Sequence, residues 1–379
     1  MEERTHEPGS NPAEVASSSR IDVHAHYVPQ EWQAVPAASA PLFRGLTGWN
    51  VPSALEMMDR QGIATAVLSM AFWSGLFADA DDVAAARRLT RSFNEQLAEV
   101  IRSHPDRFGG FACLPLPDVD GALAEIDYAL GTLELDGVIL LTNANGVYLG
   151  DSRLDPVFDE LNRRRTVVFL HPTLPACADC TSLGYAPSLI EFVFDTTRAV
   201  THLVLSGTLE RCPHLRLIVP HAGGTIPYLA DRIDLISSLF VPGATERAPA
   251  GVKAYFRQLY YDLAISTSPH PVASLLQLAD AEHILFGSDY PALFEDEIQS
   301  LTRALVDNPL LQPRDLEMIQ RHNALQLFPR LGQPSLAATE ALQRPRGPCP
   351  IRARSRGHTE VPTVTHGPMK QHDDLHECW

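Results

Sequence analysis

The chain has 379 residues, 45% apolar and 20% charged, the balance of a globular protein with room for a large core. Its 46 acidic and 30 basic side chains leave a formal charge of −16, which disfavours nucleic acid or another polyanion as a partner. No apolar stretch approaches the length of a membrane span, and residues 1–20 lack the apolar segment of a secretory signal, so the cytosol is the expected compartment.

In chain order, residues 1–20 are rich in Ser, Glu and Pro and are expected to be disordered. The apolar run IDVHAH at 21 follows, then the helix-periodic VPSALEMMDRQG and a second run, TAVLSMA at 65. The long periodic segment DDVAAARRLTRSFNEQLAEVIRSHP leads to FGGFACLPL at 108, and VDGALAEIDYALGTLEL leads to DGVILLT at 136. LDPVFDELNRRR precedes TVVFLHP at 166. LRLIVPHAGG at 215, LYYDLAIS at 259, the helical SPHPVASLLQLAD and HILFGSDYP at 283 complete the series. Asp118, Asp151, Ser152 and Ser268 stand where helix N-caps are expected, and Gly62, Pro105 and Gly131 stand near helix ends.

Eight short runs that are apolar on both faces, alternating with helical segments, predict an α/β fold: a (β/α)8 TIM barrel over residues 21–332. A doubly wound sheet is the alternative, but no G-x-G-x-x-G follows the first run, which removes its dinucleotide-binding version. Residues 333–379 mix Pro, Arg, His and Gly without periodicity and are expected to form a disordered tail. The six cysteines read as reduced thiols. Cys177 and Cys180 have C-x-x-C spacing, but no second pair follows at zinc-ribbon spacing, so they read as two thiols in a loop.

Barrel enzymes build their sites at the C-terminal ends of the strands. There the first run ends in His24 and His26, the fifth in His171, the sixth in His221 and the eighth in Asp289. Residues two apart on a strand share a face, so His24 and His26 can reach one ion. Any one histidine in an apolar strand is more often a core residue than a ligand. Four histidines and an aspartate, each closing a strand, point to a metal site of imidazole and carboxylate donors, which suit Zn²⁺ first and Mn²⁺ or Fe²⁺ after it. His104, His202 and His214 fall in helices or turns and read as structural.

The set DVHAH, FLHP, PHAGG and GSDYP resembles the amidohydrolase superfamily, in particular its branch of metal-dependent decarboxylases that includes aminocarboxymuconate semialdehyde decarboxylase and the aromatic-acid decarboxylases. The likeness runs over about residues 21–330, through SFNEQLAEVIRSHPDRFGGFACLPL and RLDPVFDELNRRRTVVFLHP to IQRHNALQLFP. It implies His24, His26, His171 and Asp289 as metal ligands, His221 as a catalytic histidine beside the ion, and assembly as dimers or tetramers. Members with two ions use a carboxylated lysine on the fourth strand; DGVILLT has none, so one ion is expected. Some aromatic-acid decarboxylases begin with E-x-H and place a Glu after the sixth-strand histidine. His24 and HAGG are closer to the semialdehyde enzyme.

Three functions follow from these residues. The first is decarboxylation of a hydroxylated aromatic acid, for which the site must orient a carboxylate and deliver a proton to a ring carbon, with Asp289 and His221 as the candidates. The second is hydrolysis of a lactone or amide by the same constellation. The third is a non-catalytic binding barrel. The missing lysine and the pattern of resemblance favour the first. For the pocket wall the sequence offers Phe72 and Trp73 after the second strand, Phe294 after Asp289, and Arg44 as a partner for a substrate oxygen. Ordinary loop packing, or for Arg44 a solvent-facing side chain, is the competing reading.

Overall fold

A computed structural model of the chain describes residues 20–30, 49–70 and 82–332. Arg44, Phe72 and Trp73, and the segments 1–19 and 333–379, lie outside the described residues.

The strands, in chain order, are β1 (Arg20–His26), β2 (Ile63–Ser69), β3 (Phe108–Ala112), β4 (Gly137–Leu141), β5 (Asn143–Ala144), β6 (Val147–Tyr148), β7 (Val167–His171), β8 (Arg216–Val219), β9 (Tyr260–Asp262) and β10 (Ile284–Leu285). All except β5 and β6 form one sheet, in the order β1, β2, β3, β4, β7, β8, β9, β10, with every neighbour parallel. The sheet closes on itself. Val23 N donates to Phe286 O at 3.0 Å, Asp289 N to His24 O at 2.8 Å and His26 N to Tyr290 O at 2.7 Å, joining the β10 end to β1. Each of the eight apolar runs is therefore a barrel strand.

The longer helices are α1 (Val51–Gln61), α2 (Val83–Ser103), α3 (Val119–Gly131), α4 (Asp155–Arg163), α5 (Glu191–Leu205), α6 (Ile226–Phe240), α7 (Pro269–Leu276) and α8 (Glu295–Val306). Local chemistry sets their ends. Asn50, Asp82 and Asp118 each accept a hydrogen bond from a first-turn amide, and Gly62 closes α1 in the left-handed region at φ 65°. Three helices, α5, α6 and α8, have no counterpart among the helical segments read from the sequence. Neither does the β5–β6 hairpin, which is antiparallel and stands after the C-terminal end of β4.

Every residue of β1 is buried, and alternation puts Asp22, His24 and His26 on its inner face. Beneath them the barrel is filled by rings. Phe169 stacks on Phe111 at 5.3 Å between centroids and meets His24 edge-on at 4.9 Å, while Phe328 packs against Phe111. The opposite end is plugged by Arg20, whose guanidinium donates to Gln320 Oε1 at 2.6 Å and Gln61 O at 2.7 Å. The aromatic layer packs against His24, and among the described residues a cavity lined by His171, His221 and Asp289 lies at the C-terminal ends of the strands.

Candidate metal centre

His24, His26, His171 and Asp289 converge: one donor atom from each lies within 4.8 Å of the other three, and all four residues are buried. His26 Nε2 lies 3.2 Å from Asp289 Oδ1, and His24 Nε2 lies 3.4 Å from the same oxygen without forming a hydrogen bond. The approach of β10 to β1 requires Gly287, because a Cβ there would stand 2.8 Å from His24 Cβ.

The second nitrogen of each of the three histidines is held by a different group. His24 Nδ1 faces Asp262 Oδ2 at 3.0 Å, His26 Nδ1 faces Ser69 Oγ at 2.8 Å, and His171 Nδ1 faces Pro172 O at 2.8 Å. A carbonyl oxygen can only accept, so His171 carries its proton on Nδ1. The Ser69 hydroxyl donates to Ala25 O at 3.2 Å, which leaves its oxygen to accept from His26 Nδ1. In each case the anchored nitrogen donates, and Nε2 turns a lone pair toward the cluster. Three imidazole lone pairs and a carboxylate at this spacing are the donor set of a four-coordinate divalent site. The observation fits the residues to a metal ion.

The electrostatics agree. Burial disfavours a charged His24, but the carboxylates of Asp262 and Asp289 outweigh it and raise its pKa to about 10. Burial alone would raise the Asp289 carboxyl; the charge of His24, with the rings of His221 and His26 close by, holds it well below the usual range. Burial, then the neighbouring histidines, push His171 well below its ordinary value. Two buried carboxylates thus demand positive charge at this spot, from a proton or a cation.

His221 is built differently. Its Nε2 lies 3.6 Å from Asp289 Oδ2, the oxygen that does not face His24 and His26, and its Nδ1 is buried without a hydrogen-bond partner. The backbone is held in a costly conformation, with φ 54° at both His221 and Ala222, and Asp289 likewise has φ 59°. Such left-handed, non-glycine positions cost about 1–3 kcal/mol each and gather at functional sites. The following turn is pinned to α5, since Gly224 approaches Val193 O so closely that a Cβ would stand 2.3 Å from it.

Above the cluster lies a cavity of about 530 Å³ floored by His171, His221 and Asp289. Its walls are Ala186, Ser188, Leu189, Phe192 and Val193 from the segment after β7, Ile265 and Ser266 after β9, and Ala292 and Leu293 after Asp289. The size falls within the ~300–1,000 Å³ usual for small-molecule sites, and most of the wall is apolar. A buried carboxylate steadies this wall. Asp195 of α5 accepts hydrogen bonds from Thr142 and Tyr148, from Asn143 Nδ2 at 3.1 Å and from Arg198 Nη1 at 2.8 Å, tying the hairpin to the helix that carries the wall.

Against the sequence reading, all four ligand candidates and His221 come together. Phe294 does not join them: it caps the N-terminus of α8, 59% exposed, and its neighbours Ala292 and Leu293 line the cavity instead. Cys177 and Cys180 are free, exposed thiols at a single helical turn, Ala178–Thr181. The sequence reading missed Asp262, Ser69 and the wall segment 186–193. The signal for Asp262 was present, since it ends the run LYYD as a lone acid on an otherwise apolar barrel strand.

A barrel with this histidine and aspartate cluster at its strand ends is the architecture of an amidohydrolase, and the chain belongs to the amidohydrolase family, whose model matches residues 21–330. Within it, the chain is 34% identical over 325 residues to the 6-methylsalicylic acid decarboxylase of Penicillium expansum, covering 83% of this chain and 97% of that one. A crystal structure described as an amidohydrolase superposes with a TM-score of 0.73 at 29% identity, over 83% of this chain and all of the other. A dihydroxybenzoic acid decarboxylase from Polaromonas, solved with bound manganese and 2-nitroresorcinol, gives a TM-score of 0.72 at 23% identity over 84% of this chain and 98% of its own. Among the described residues, no helix is long and apolar enough to cross a membrane.

Proposed function

We propose that the protein is a metal-dependent, non-oxidative decarboxylase of hydroxylated aromatic acids, converting 6-methylsalicylate to 3-methylphenol and CO₂. The observation that carries the reading is the division of Asp289: one oxygen faces the ligand cluster and the other faces His221, at the floor of a largely apolar cavity. The relative named for 6-methylsalicylate supports the choice of acid.

His24, His26, His171 and Asp289 would hold one divalent ion, with zinc the first choice for this donor set and manganese, found in the Polaromonas decarboxylase, the second. When bound, the ion supplies a fixed positive charge for the substrate carboxylate and the adjacent phenol oxygen. The apolar wall of Leu189, Phe192 and Val193 packs the ring and its methyl group and excludes water.

The reaction adds a proton to the ring carbon that bears the carboxylate. The bond to the carboxylate then breaks, its electron pair returns to the ring, and CO₂ leaves. A carboxylate that ligates a cation is a poor acid, whereas histidine is the side chain that most often serves as a general acid. His221 therefore delivers the proton, which stays on the ring; Asp289 Oδ2, 3.6 Å from its Nε2, orients the imidazole and relays a replacement proton from solvent to it.

The assembly reading is a homo-oligomer, dimer or tetramer. Tyr228, Leu235, Leu239 and Phe240 stand exposed on α6, the kind of apolar patch that marks a contact between chains. A single-chain mass in light scattering would count against it.

The functional test incubates metal-loaded protein with a panel of ortho-hydroxybenzoates, including 6-methylsalicylate, and with lactones. CO₂ and 3-methylphenol are expected from 6-methylsalicylate. Lactone turnover with no CO₂ from any acid would replace this reading with hydrolysis.

A further inference from the structure

Asp262 ends β9, is wholly buried, and uses both of its oxygens on the site. Oδ2 faces His24 Nδ1 at 3.0 Å. Oδ1 accepts two backbone hydrogen bonds, from His221 N at 3.1 Å and Ala264 N at 3.0 Å. Backbone amides only donate, so the role of Oδ1 is fixed, and it grips the chain at the point where His221 enters the left-handed region.

From this we infer that Asp262 is a positioning residue that sets two groups at once: the tautomer of His24, with its lone pair on Nε2, and the placement of His221. The inference rests on the reading of His24 as a metal ligand. One carboxylate joins a ligand on β1 to the histidine after β8, two elements that do not adjoin in the barrel. No other strand end among the described residues has a side chain that bonds both to a ligand ring and to the backbone of His221.

The geometry makes the effect of a near-isosteric change specific. In Asp262→Asn the amide oxygen must stay on the two backbone N–H groups, because turning it would set an NH₂ against them. The NH₂ is then aimed at His24 Nδ1, which can accept only if its proton moves to Nε2. That proton points into the cluster and blocks coordination, while the fold keeps both backbone hydrogen bonds.

The test uses Zn²⁺ and the full chain. Competition titration of Asp262→Asn should show zinc affinity lower by about 10- to 100-fold, the usual range for a residue that supports a ligand. Its circular dichroism should be unchanged. Long-range ¹H–¹⁵N spectra of the unaltered, zinc-loaded protein should show His24 protonated on Nδ1 and bound through Nε2, a readout that needs no variant to fold. Zinc binding lost in His24→Ala but unchanged in Asp262→Asn would overturn the inference, and so would a His24 bound through Nδ1. No zinc uptake by the unaltered protein would overturn the metal-centre reading and this inference with it.

Discussion

The three histidines of β1 and β7 and the one after β8 are chemically alike, yet the protein treats them in opposite ways. His24, His26 and His171 each have Nδ1 tied to a carboxylate, a hydroxyl or a carbonyl, and their backbones stay out of the left-handed region. His221 has a free Nδ1 and a left-handed backbone. An anchored ring presents one lone pair in one direction, which suits a ligand. A ring with an unpartnered second nitrogen can gain and lose a proton without breaking a buried hydrogen bond, which suits an acid. The contrast teaches that the role of a histidine here is set by what holds its far side.

The comparison breaks most visibly if the anchored set is removed. His24→Ala with His26→Ala should abolish activity and weaken metal binding by more than about 100-fold, beyond the range for supporting residues. Metal analysis after dialysis checks this, and full occupancy would remove the basis of the assignment. His221→Ala should do the reverse, keeping the ion while kcat falls by about 10²- to 10⁴-fold, the range for a general acid. Loss of metal in that variant would place His221 among the ligands.

Ser69→Ala sharpens the comparison, since it removes only the anchor of His26. A metal affinity about 10-fold lower is expected, with the melting temperature nearly unchanged. An unaltered affinity would show that the hydroxyl does not orient the ring. The smallest effect is expected at the wall: Phe192→Ala should raise KM for 6-methylsalicylate several-fold, about 1 kcal/mol of lost apolar contact, with kcat less affected. A change in kcat alone would mean that Phe192 acts on the chemistry.

The barrel was legible because strand patterning is local. Eight runs apolar on both faces became eight strands, and the single-residue spacing of His24 and His26 was enough to put both on the inner face. The candidate cluster was legible because His24, His26 and His171 stand at the ends of β1 and β7 and Asp289 follows β10. The wall was not legible, since which loop folds over the mouth depends on contacts remote in sequence. Val193 lies there because α5 is pinned by Gly224 and by the hydrogen bonds of Asp195 to Thr142 and Tyr148. Phe294 looked like a wall residue from its place after Asp289, but the start of α8 turns it outward. Asp262 escaped notice for a different reason: its work is done through other residues, so it matches no ligand motif.

The most direct measurement is CO₂ release from 6-methylsalicylate by metal-stripped protein as a divalent ion is titrated back. The account predicts no turnover in the stripped protein and a linear rise that stops at one ion per chain. Turnover by the stripped protein, or none at full occupancy, would contradict it.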